Sequence, residues 1–510
     1  MLIKERGMTM KQPDILLMMS DQHAAWYMGH EGGIVDTPNL DALAVEGTRF
    51  SNCYTACPLC VPARMSMLAG RLPTRIGVTA NNHTLSSLAP TFLFPLVAAG
   101  YETVLIGRMH FTGTDLRHGF MKRIGGDVTP TGWIPPRQEV QKERGQLMST
   151  FSTGGCLDVI GGGESPVRHF DNEIVQDALE YLAQPHEKPQ FIIVGTFGPH
   201  FPYVADPALY RKYKVRGWLS PTFGETPEFV AQNPWLKAHQ KMTSREVAVK
   251  AAAAYCALVE ETDAFVGKVR AAFTRYTSTA GHPSVFGYFS DHGDAVGARN
   301  MYGKQTFFED SVRVPFLLAG DGIPADRVIK DNVSLLDIGP TVCALAGTTY
   351  QGRLVDGESL TPFLAQDRFE SSNTRTVISQ YIESRGGASP WLAQRPGYKP
   401  EPEMFSYSVM VRQGCWKYFV YHGQEEQAVL FDMENDPGET RNVIAAHHET
   451  AMRLQRVAME VADPTTEELE HQDRAVMNAW LRCYERETGS FIDERWKNNP
   501  PTARGQLEVE

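Results

Sequence analysis

Four short segments carry side chains able to do acid, base or metal chemistry. Asp21-Gln22-His23 follow one apolar run, and Gly107-Arg108-Met109-His110 close a second. Gly198-Pro199-His200-Phe201-Pro202 follow a third, and Asp291-His292-Gly293-Asp294 close a fourth. Taken singly, an Asp after a strand usually caps a turn or a helix, and a His is usually structural. Taken together, these segments deliver carboxylates, imidazoles and a cation to one place. Asp21 and Asp291, joined by an Asn, Gln or His donor, form a hard-donor set suited to Ca2+, Mg2+ or Mn2+. No thiolate set suits Zn2+ better. A fifth segment, Cys60-Val61-Pro62-Ala63-Arg64, sets a thiol and a guanidinium four residues apart, one helical turn from each other.

The runs that precede these segments read as strands. Pro13–Ser20, Glu102–Gly107, Gln190–Thr196, Val285–Ser290 and Val314–Ala319 are short and almost wholly apolar. That pattern fits strands buried on both faces. Helical periodicity lies between them at Asn39–Glu46, Thr91–Ala99, Asn172–Leu182, Ser244–Phe273 and Leu335–Ala346. Alternation of this kind predicts an α/β fold, a doubly wound and mostly parallel sheet with helices on both faces. Ligands in such sheets bind beyond the carboxyl ends of the strands, where the four segments fall. After about residue 375 the texture changes. Phe405–Val411 and Cys415–Tyr421 read as a hairpin, Val429–Met433 as a further strand, and Glu449–Ala462 as a helix. The expected division is a catalytic domain over 10–375, a smaller C-terminal α+β subdomain with an antiparallel sheet over 376–480, and a tail over 481–510. Stretches 111–165 and 198–243 are rich in Gly, Pro and aromatics and read as long functional loops.

Composition narrows the classes further. The chain has 510 residues, 42% of them hydrophobic and 21% charged, with a net charge of −11. That argues against nucleic acid and anionic membranes as partners. No stretch approaches the ~20 apolar residues of a membrane helix. The Ile15–Met19 run, flanked by Asp14 and Asp21, is too short for a signal-peptide core, so a cytoplasmic location is expected. Five of the eight cysteines are scattered, as buried thiols are rather than a disulfide framework. A homo-oligomer is compatible with all of this.

The segment Cys60–Arg64, followed by Met65-Ser66-Met67-Leu68-Ala69-Gly70-Arg71, resembles the type I sulfatases of the alkaline phosphatase superfamily. The resemblance continues in register. It takes in Asp21, Pro38-Asn39-Leu40-Asp41, Gly107–His110, Pro199–Pro202, Ser290–Gly293, Gly303-Lys304, Ser311–Pro315 and Leu430-Phe431-Asp432 through Asp436–Glu439. It implies an alkaline-phosphatase-like fold and hydrolysis of a sulfate monoester. It further implies a maturation enzyme that oxidises Cys60 to formylglycine, whose hydrate attacks sulfur. Asp21, Gln22, Asp291 and His292 match the ligands of one divalent cation, Ca2+ first and Mn2+ or Mg2+ otherwise, with residue 60 completing the site. Arg64 would steady the hydrate, and Asp291 could take its proton. Arg108 and Lys304 would bind sulfate oxygens, His200 would protonate the leaving alcohol, and His110 would act in sulfate release. Asn81 matches a sulfate-binding amide of some relatives.

Three departures refine the resemblance. Gln22 stands where many sulfatases have a second acid, His292 where many have Asn, and Arg108 where many have Lys. The first two occur together in choline-sulfatase-like members and in phosphonate monoester hydrolases, and the Arg108-x-His110 pair favours the former. The text from Met109 to Phe120 looks most like choline sulfatases. A trimethylammonium group would need an aromatic or acidic cage, for which Trp133, Tyr203 and Trp391 are candidates. The resemblance thus implies a small-molecule or carbohydrate sulfate ester as substrate, with a phosphonate monoester or phosphodiester as the alternative. A remote alternative is an iron–sulfur enzyme of the radical SAM type. Cys53-x3-Cys57-x2-Cys60 has that spacing, and Gly162-Gly163-Glu164 resembles its cofactor motif. Leu59, however, replaces the usual aromatic, and that reading leaves Asp291-His292 and Arg108-x-His110 without a role.

Overall fold

The first apolar run forms strand β1, Asp14–Asp21, and every residue of it is buried, as in a strand covered on both faces. The computed structural model describes residues 11–129, 131–132, 156–157, 159–365, 374–387, 401–489 and 508–509. The other apolar runs also become strands of the main sheet: β3 (Glu102–Gly107), β6 (Gln190–Pro199), β8 (Ser284–Ser290) and β10 (Phe316–Gly320). Strand β1 pairs in parallel with β6 on one side and β8 on the other. With β2 (Gly47–Tyr54), β4 (Lys122–Ile124) and β11 (Arg327–Ser334) the order is β11-β2-β10-β8-β1-β6-β3-β4. The short β9 (Arg313–Val314) lies off this path against β2. Only β10 and β9 run antiparallel to their neighbours.

Side chains of β1 divide with period two, and each set founds a core. Ile15, Leu17 and Met19 pack with Met65 and Leu68 of helix α2 (Cys60–Ala69), Leu93 and Leu96 of α3 (Leu93–Ala98), and Ile338 and Val342 of α7 (Ile338–Leu345). Leu16 and Met18 pack on the opposite face. Their neighbours there are Leu40 and Leu43 of α1 (Pro38–Glu46), Phe170 and Ile174 of α4 (Pro166–Leu182), and Val266 and Val269 of α6 (Arg245–Ala280). Ser244 caps α6 through its side chain, and the helix runs one turn or more beyond the expected Phe273.

Stretch 198–243 is not one irregular loop. It holds β7 (Tyr203–Ala205) and α5 (Pro207–Arg216), along with two shorter helices. Asp206 caps α5, Pro207 occupies its first position, and Tyr210 and Tyr213 turn one face inward. Stretch 111–165 contains β4 and β5 (Ile160–Glu164), and β5 pairs with β7.

A second sheet follows, antiparallel in the order β12-β13-β14-β15: Thr376–Gly387, Glu401–Gln413, Trp416–Tyr421 and Val429–Asp432. Helix α8 (His448–Val461) covers one face, with Leu454 and Ala458 against Tyr407, Val409 and Val411. The other face turns Phe419 and Phe431 toward Phe307 and Phe308 of the main body. Helix α9 spans Pro464–Thr488, so the expected boundary at residue 480 falls inside it. Residues 508–509 add a short strand to β5. Among the described residues, no helix is long and apolar enough to cross a membrane.

Candidate active site

The site is built where β1 and β8 end side by side and α2 begins. Ser20 is in register with Ser290, which brings Asp21 beside Asp291. Gln22 leaves β1 with φ +70°, and His110 leaves β3 with φ +61°. Left-handed backbone at non-Gly residues costs energy and persists only where the surroundings hold it. Here the Gln22 amide donates to Asp291 Oδ1 at 3.1 Å and the His110 amide to Asp127 Oδ2 at 2.8 Å.

Arg64 lies one helical turn from Cys60 and is fully buried. Its Nε donates to Asp291 Oδ2 at 2.7 Å and its Nη2 to Asp21 Oδ2 at 3.0 Å. It therefore clamps the two carboxylates together. Asp21 keeps its second oxygen, and Oδ1 faces Cys60 Sγ at 3.8 Å and His292 Nε2 at 3.7 Å, while Asp291 Oδ1 accepts from the Gln22 and His292 amides and its Oδ2 lies 3.6 Å from His292 Nε2. His292 Nδ1 donates to the Gly293 carbonyl at 3.1 Å, which leaves the Nε2 lone pair pointing at Cys60 Sγ, 3.2 Å away. Burial lowers the His292 pKa to about 4, so the ring is neutral near pH 7. Donor atoms of Asp21, Cys60, Asp291 and His292 all lie within 4.8 Å of one another. Two carboxylates and one neutral imidazole with a free lone pair fit a divalent cation of the hard class. The Gln22 side-chain oxygen faces Lys304 at the edge of this set, 2.6 Å from its Nζ.

Cations and imidazoles surround the thiol. Lys304 Nζ is 3.2 Å from Cys60 Sγ, and His110 and His200 also hydrogen-bond it. Burial and the Asp21 carboxylate push the thiol up, but Lys304 and the two imidazoles outweigh them and bring it to about 5. Burial likewise raises the Asp21 carboxyl, while Arg64 and Arg108 hold it well below the usual range. His200 donates from Nδ1 to the Phe201 carbonyl at 2.6 Å, so its other nitrogen is left for residue 60. His110 Nδ1 accepts from Arg108 Nη2 at 2.7 Å, so its proton sits on Nε2.

Two expected contacts take a different form. Arg108 spends its guanidinium on protein: Nε on Asp21 at 2.8 Å, Nη1 on Asp127 at 2.8 Å and Thr129 at 2.7 Å, Nη2 on His110. One of its five N–H donors is left over from these contacts. Asn81 does not join the ring of charges. Its Oδ1 accepts from the Val61 amide at 3.0 Å, satisfying an orphan donor in the first turn of α2, where Leu59 offers no side-chain cap.

Two anchors of the site escape a reading of the sequence. Asp127 holds Arg108 and His110 together, and Asp294 accepts from Gln22 Nε2 at 2.5 Å. Asp127 follows Gly125-Gly126 and reads as a turn residue; Asp294 stands in the quoted Asp291–Asp294 segment but has no partner until Gln22 is brought opposite. Of the aromatic candidates, Tyr203 is buried with its hydroxyl on Asp294 at 2.7 Å. Trp133 and Trp391 lie outside the described residues. The three clustered cysteines do not face one ligand. Cys53 sits in the core with Phe50 and Val333, Cys57 packs with Tyr54 and Phe307, and only Cys60 faces the acids. That separation removes the iron–sulfur alternative.

Known proteins resemble this chain in sequence and in fold. The family model described as Sulfatase matches residues 13–348. A choline-sulfatase of Rhizobium meliloti (strain 1021) is 32% identical over 458 residues, covering 86% of this chain and 83% of that protein. The phosphonate monoester hydrolase of Silicibacter pomeroyi superposes with a TM-score of 0.68 at 19% identity, over 88% of this chain and 95% of its own. BT4656, solved in complex with its substrate D-glucosamine-2-N,6-O-disulfate, gives 0.65 at 19% identity, over 89% and 99%.

Proposed function

The chain belongs to the sulfatase family, whose chemistry is hydrolysis of sulfate esters, and on that premise we propose a sulfate monoester of a small alcohol or sugar as its substrate, choline sulfate first. The observation that carries this reading is the convergence of buried Asp21, Cys60, Arg64, Asp291 and His292 with the part-buried Lys304 at the strand ends. The choice of choline rests on the likeness to the Rhizobium enzyme across most of both chains.

Asp21, Gln22, Asp291 and His292, with residue 60, would hold one divalent cation, Ca2+ or otherwise Mn2+ or Mg2+. Bound there, the cation neutralises charge on the sulfate and lowers the pKa of the nucleophile. Two-electron oxidation of Cys60 to formylglycine by a maturation enzyme and its own oxidant, with the sulfur lost as sulfide, gives an aldehyde whose hydrate offers an oxygen nucleophile in place of sulfur. Around it, Lys304 and the remaining Arg108 donor bind sulfate oxygens. Asp291 accepts the proton of the attacking hydroxyl. His200, which faces residue 60 and keeps its Nδ1 proton on the Phe201 carbonyl, hands the leaving alcohol a proton that its Nε2 must first take up. His110, whose Nε2 faces residue 60, serves proton transfer as sulfate departs. Arg64 keeps both carboxylates in place, and Asn81 fixes the start of the helix that bears the nucleophile.

A phosphonate monoester hydrolase remains the second reading, favoured by Gln22, by His292 and by the fold likeness to the Silicibacter enzyme. Steady-state rates on choline sulfate, nitrophenyl sulfate, glucosamine 6-sulfate and a phenyl phosphonate ester separate the two. The expected result is a higher kcat/KM on a sulfate ester than on the phosphonate; a faster phosphonate overturns the sulfatase reading of this chain. Chelation is expected to abolish turnover, with recovery on return of Ca2+, Mn2+ or Mg2+.

A further inference from the structure

Gln22 and Asp294 are both wholly buried, and they meet through the shortest side-chain contact of the site, 2.5 Å from Nε2 to Oδ2. On its other side the Gln22 amide meets Lys304, whose Nζ donates to Oε1 at 2.6 Å. The orientation of this amide is therefore forced. A carboxylate can only accept and an ammonium can only donate, so nitrogen must face Asp294 and oxygen must face Lys304. Asp294 also works through its second oxygen. Oδ1 accepts from the amides of Val296 at 3.0 Å and Gly303 at 2.8 Å, closing the neck of the loop that delivers Lys304. That loop contains three non-Gly residues with positive φ: Val296 at +44°, Arg299 at +52° and Asn300 at +60°. Such backbone needs an anchor. The Tyr203 hydroxyl completes the set at 2.7 Å from Oδ2.

We propose that Asp294 is a positioning residue: it orients the Gln22 amide so that the oxygen faces Lys304 and the cation-binding acids, and it is the reason position 22 carries an amide rather than an acid. A Glu at position 22 could meet Lys304 with one oxygen, but its other oxygen would face the Asp294 carboxylate, acceptor against acceptor with no proton between them. The negative charge is thus moved one shell outward, from residue 22 to residue 294. The link to catalysis rests on the sulfatase reading; the pairing itself does not.

The two oxygens of Asp294 allow the pairing to be tested apart from the loop. In Asp294→Asn, Oδ1 still accepts from Val296 and Gly303, while an N–H now faces the N–H of Gln22. In Gln22→Glu, two acceptors face each other. In the double variant Q22E/D294N one donor meets one acceptor again, with the polarity reversed and Lys304 still facing an oxygen. All three full-length variants are compared with wild type, first by thermal unfolding after chelation, then by kcat on nitrophenyl sulfate with Ca2+ restored. Each single variant is expected to unfold at lower temperature and to lose at least ~30-fold in kcat. The double variant is expected to regain more than half of the summed loss in unfolding temperature and at least ~10-fold in kcat over the worse single variant. Losses in unfolding temperature that simply add in the double variant overturn the proposal, and so does a D294N protein within twofold of wild type in kcat and unchanged in unfolding temperature. Where a single variant does not fold, a folded double variant supports the pairing, and an unfolded one overturns it. A wild-type protein that turns over no sulfate ester would fail the functional reading instead, and the thermal comparison would still decide the pairing.

Discussion

At the scale of the residue, the proposed chemistry rests on Cys60 and the acids opposite it. Cys60→Ala removes the proposed attacking group and little volume. Turnover is expected to fall on the order of 10^4-fold or more, with only a small change in unfolding temperature. Residual activity within tenfold of wild type would place the nucleophile elsewhere. Asp127 acts through its neighbours, because one oxygen holds the His110 amide while the other takes Arg108 and Thr129. Burial would raise this carboxyl, but Arg108 and His110 hold it well below the usual range. Asp127→Asn keeps the shape, weakens the hold on Arg108 and sets an N–H against a donor. A loss of about 10- to 100-fold in kcat is expected, as for other groups that orient a catalytic residue. A kcat within threefold of wild type would show that Arg108 and His110 need no such anchor. The contrast between Cys60 and Asp127 shows what a sequence can display. Cys60, Arg64, Asp291 and Lys304 belong to local motifs whose spacing carries meaning. The value of Asp127 and Asp294 lies in partners 19 and 272 residues away, and nothing in their own neighbourhood marks it.

At the scale of the element, the main strands were legible because they are buried on both faces and hold little but apolar residues. Strand β2 was not. Its sequence, GTRFSNCY, mixes polar with apolar residues, and Arg49, Ser51 and Asn52 are only partly buried where it lies next to the outermost strand β11. Helix α5 was masked by Pro207 and by its charged outer face, which read as loop. A different kind of element contact ties α9 to the turn that precedes Asn81. His471 of α9 hydrogen-bonds Thr79 Oγ1 at 2.8 Å, and the Thr79 amide donates to His83 Nδ1 at 3.2 Å. Burial lowers His83 to about 3 and His471 to about 4. The unfolded chain therefore takes up these protons first. Stability from the pair is complete above the unfolded value of about 6.5 and is lost as pH falls toward 4. Thermal unfolding between pH 7 and 4.5 is expected to show a shallower decline in His471→Asn than in wild type. Parallel declines would mean that the pair does not couple to unfolding.

At the scale of the whole molecule, one buried lysine joins the two sheets. Lys417 of β14 is fully buried and sits 2.7 Å from both Glu309 Oε1 and Glu439 Oε1. Glu309 belongs to the main body, next to Arg313 at 3.3 Å, and Arg299 lies 3.4 Å from Glu439 in the loop that leads to Lys304. The C-terminal sheet thus braces the active-site loop through charge as well as through Phe419 and Phe431. Lys417→Met would leave two carboxylates facing each other out of water. A destabilisation of about 3–5 kcal/mol is expected, read as a lower urea midpoint; an unchanged midpoint would show that the brace contributes nothing.

The most direct test of the chemistry proposed for this site is the mass of the tryptic peptide Phe50–Arg64, from protein made in a host that carries the maturation enzyme. Conversion of the Cys60 thiol to an aldehyde removes about 18 Da, and that loss, confined to position 60, is the expected result. A peptide of unmodified mass from protein that actively releases sulfate would contradict an aldehyde-derived nucleophile.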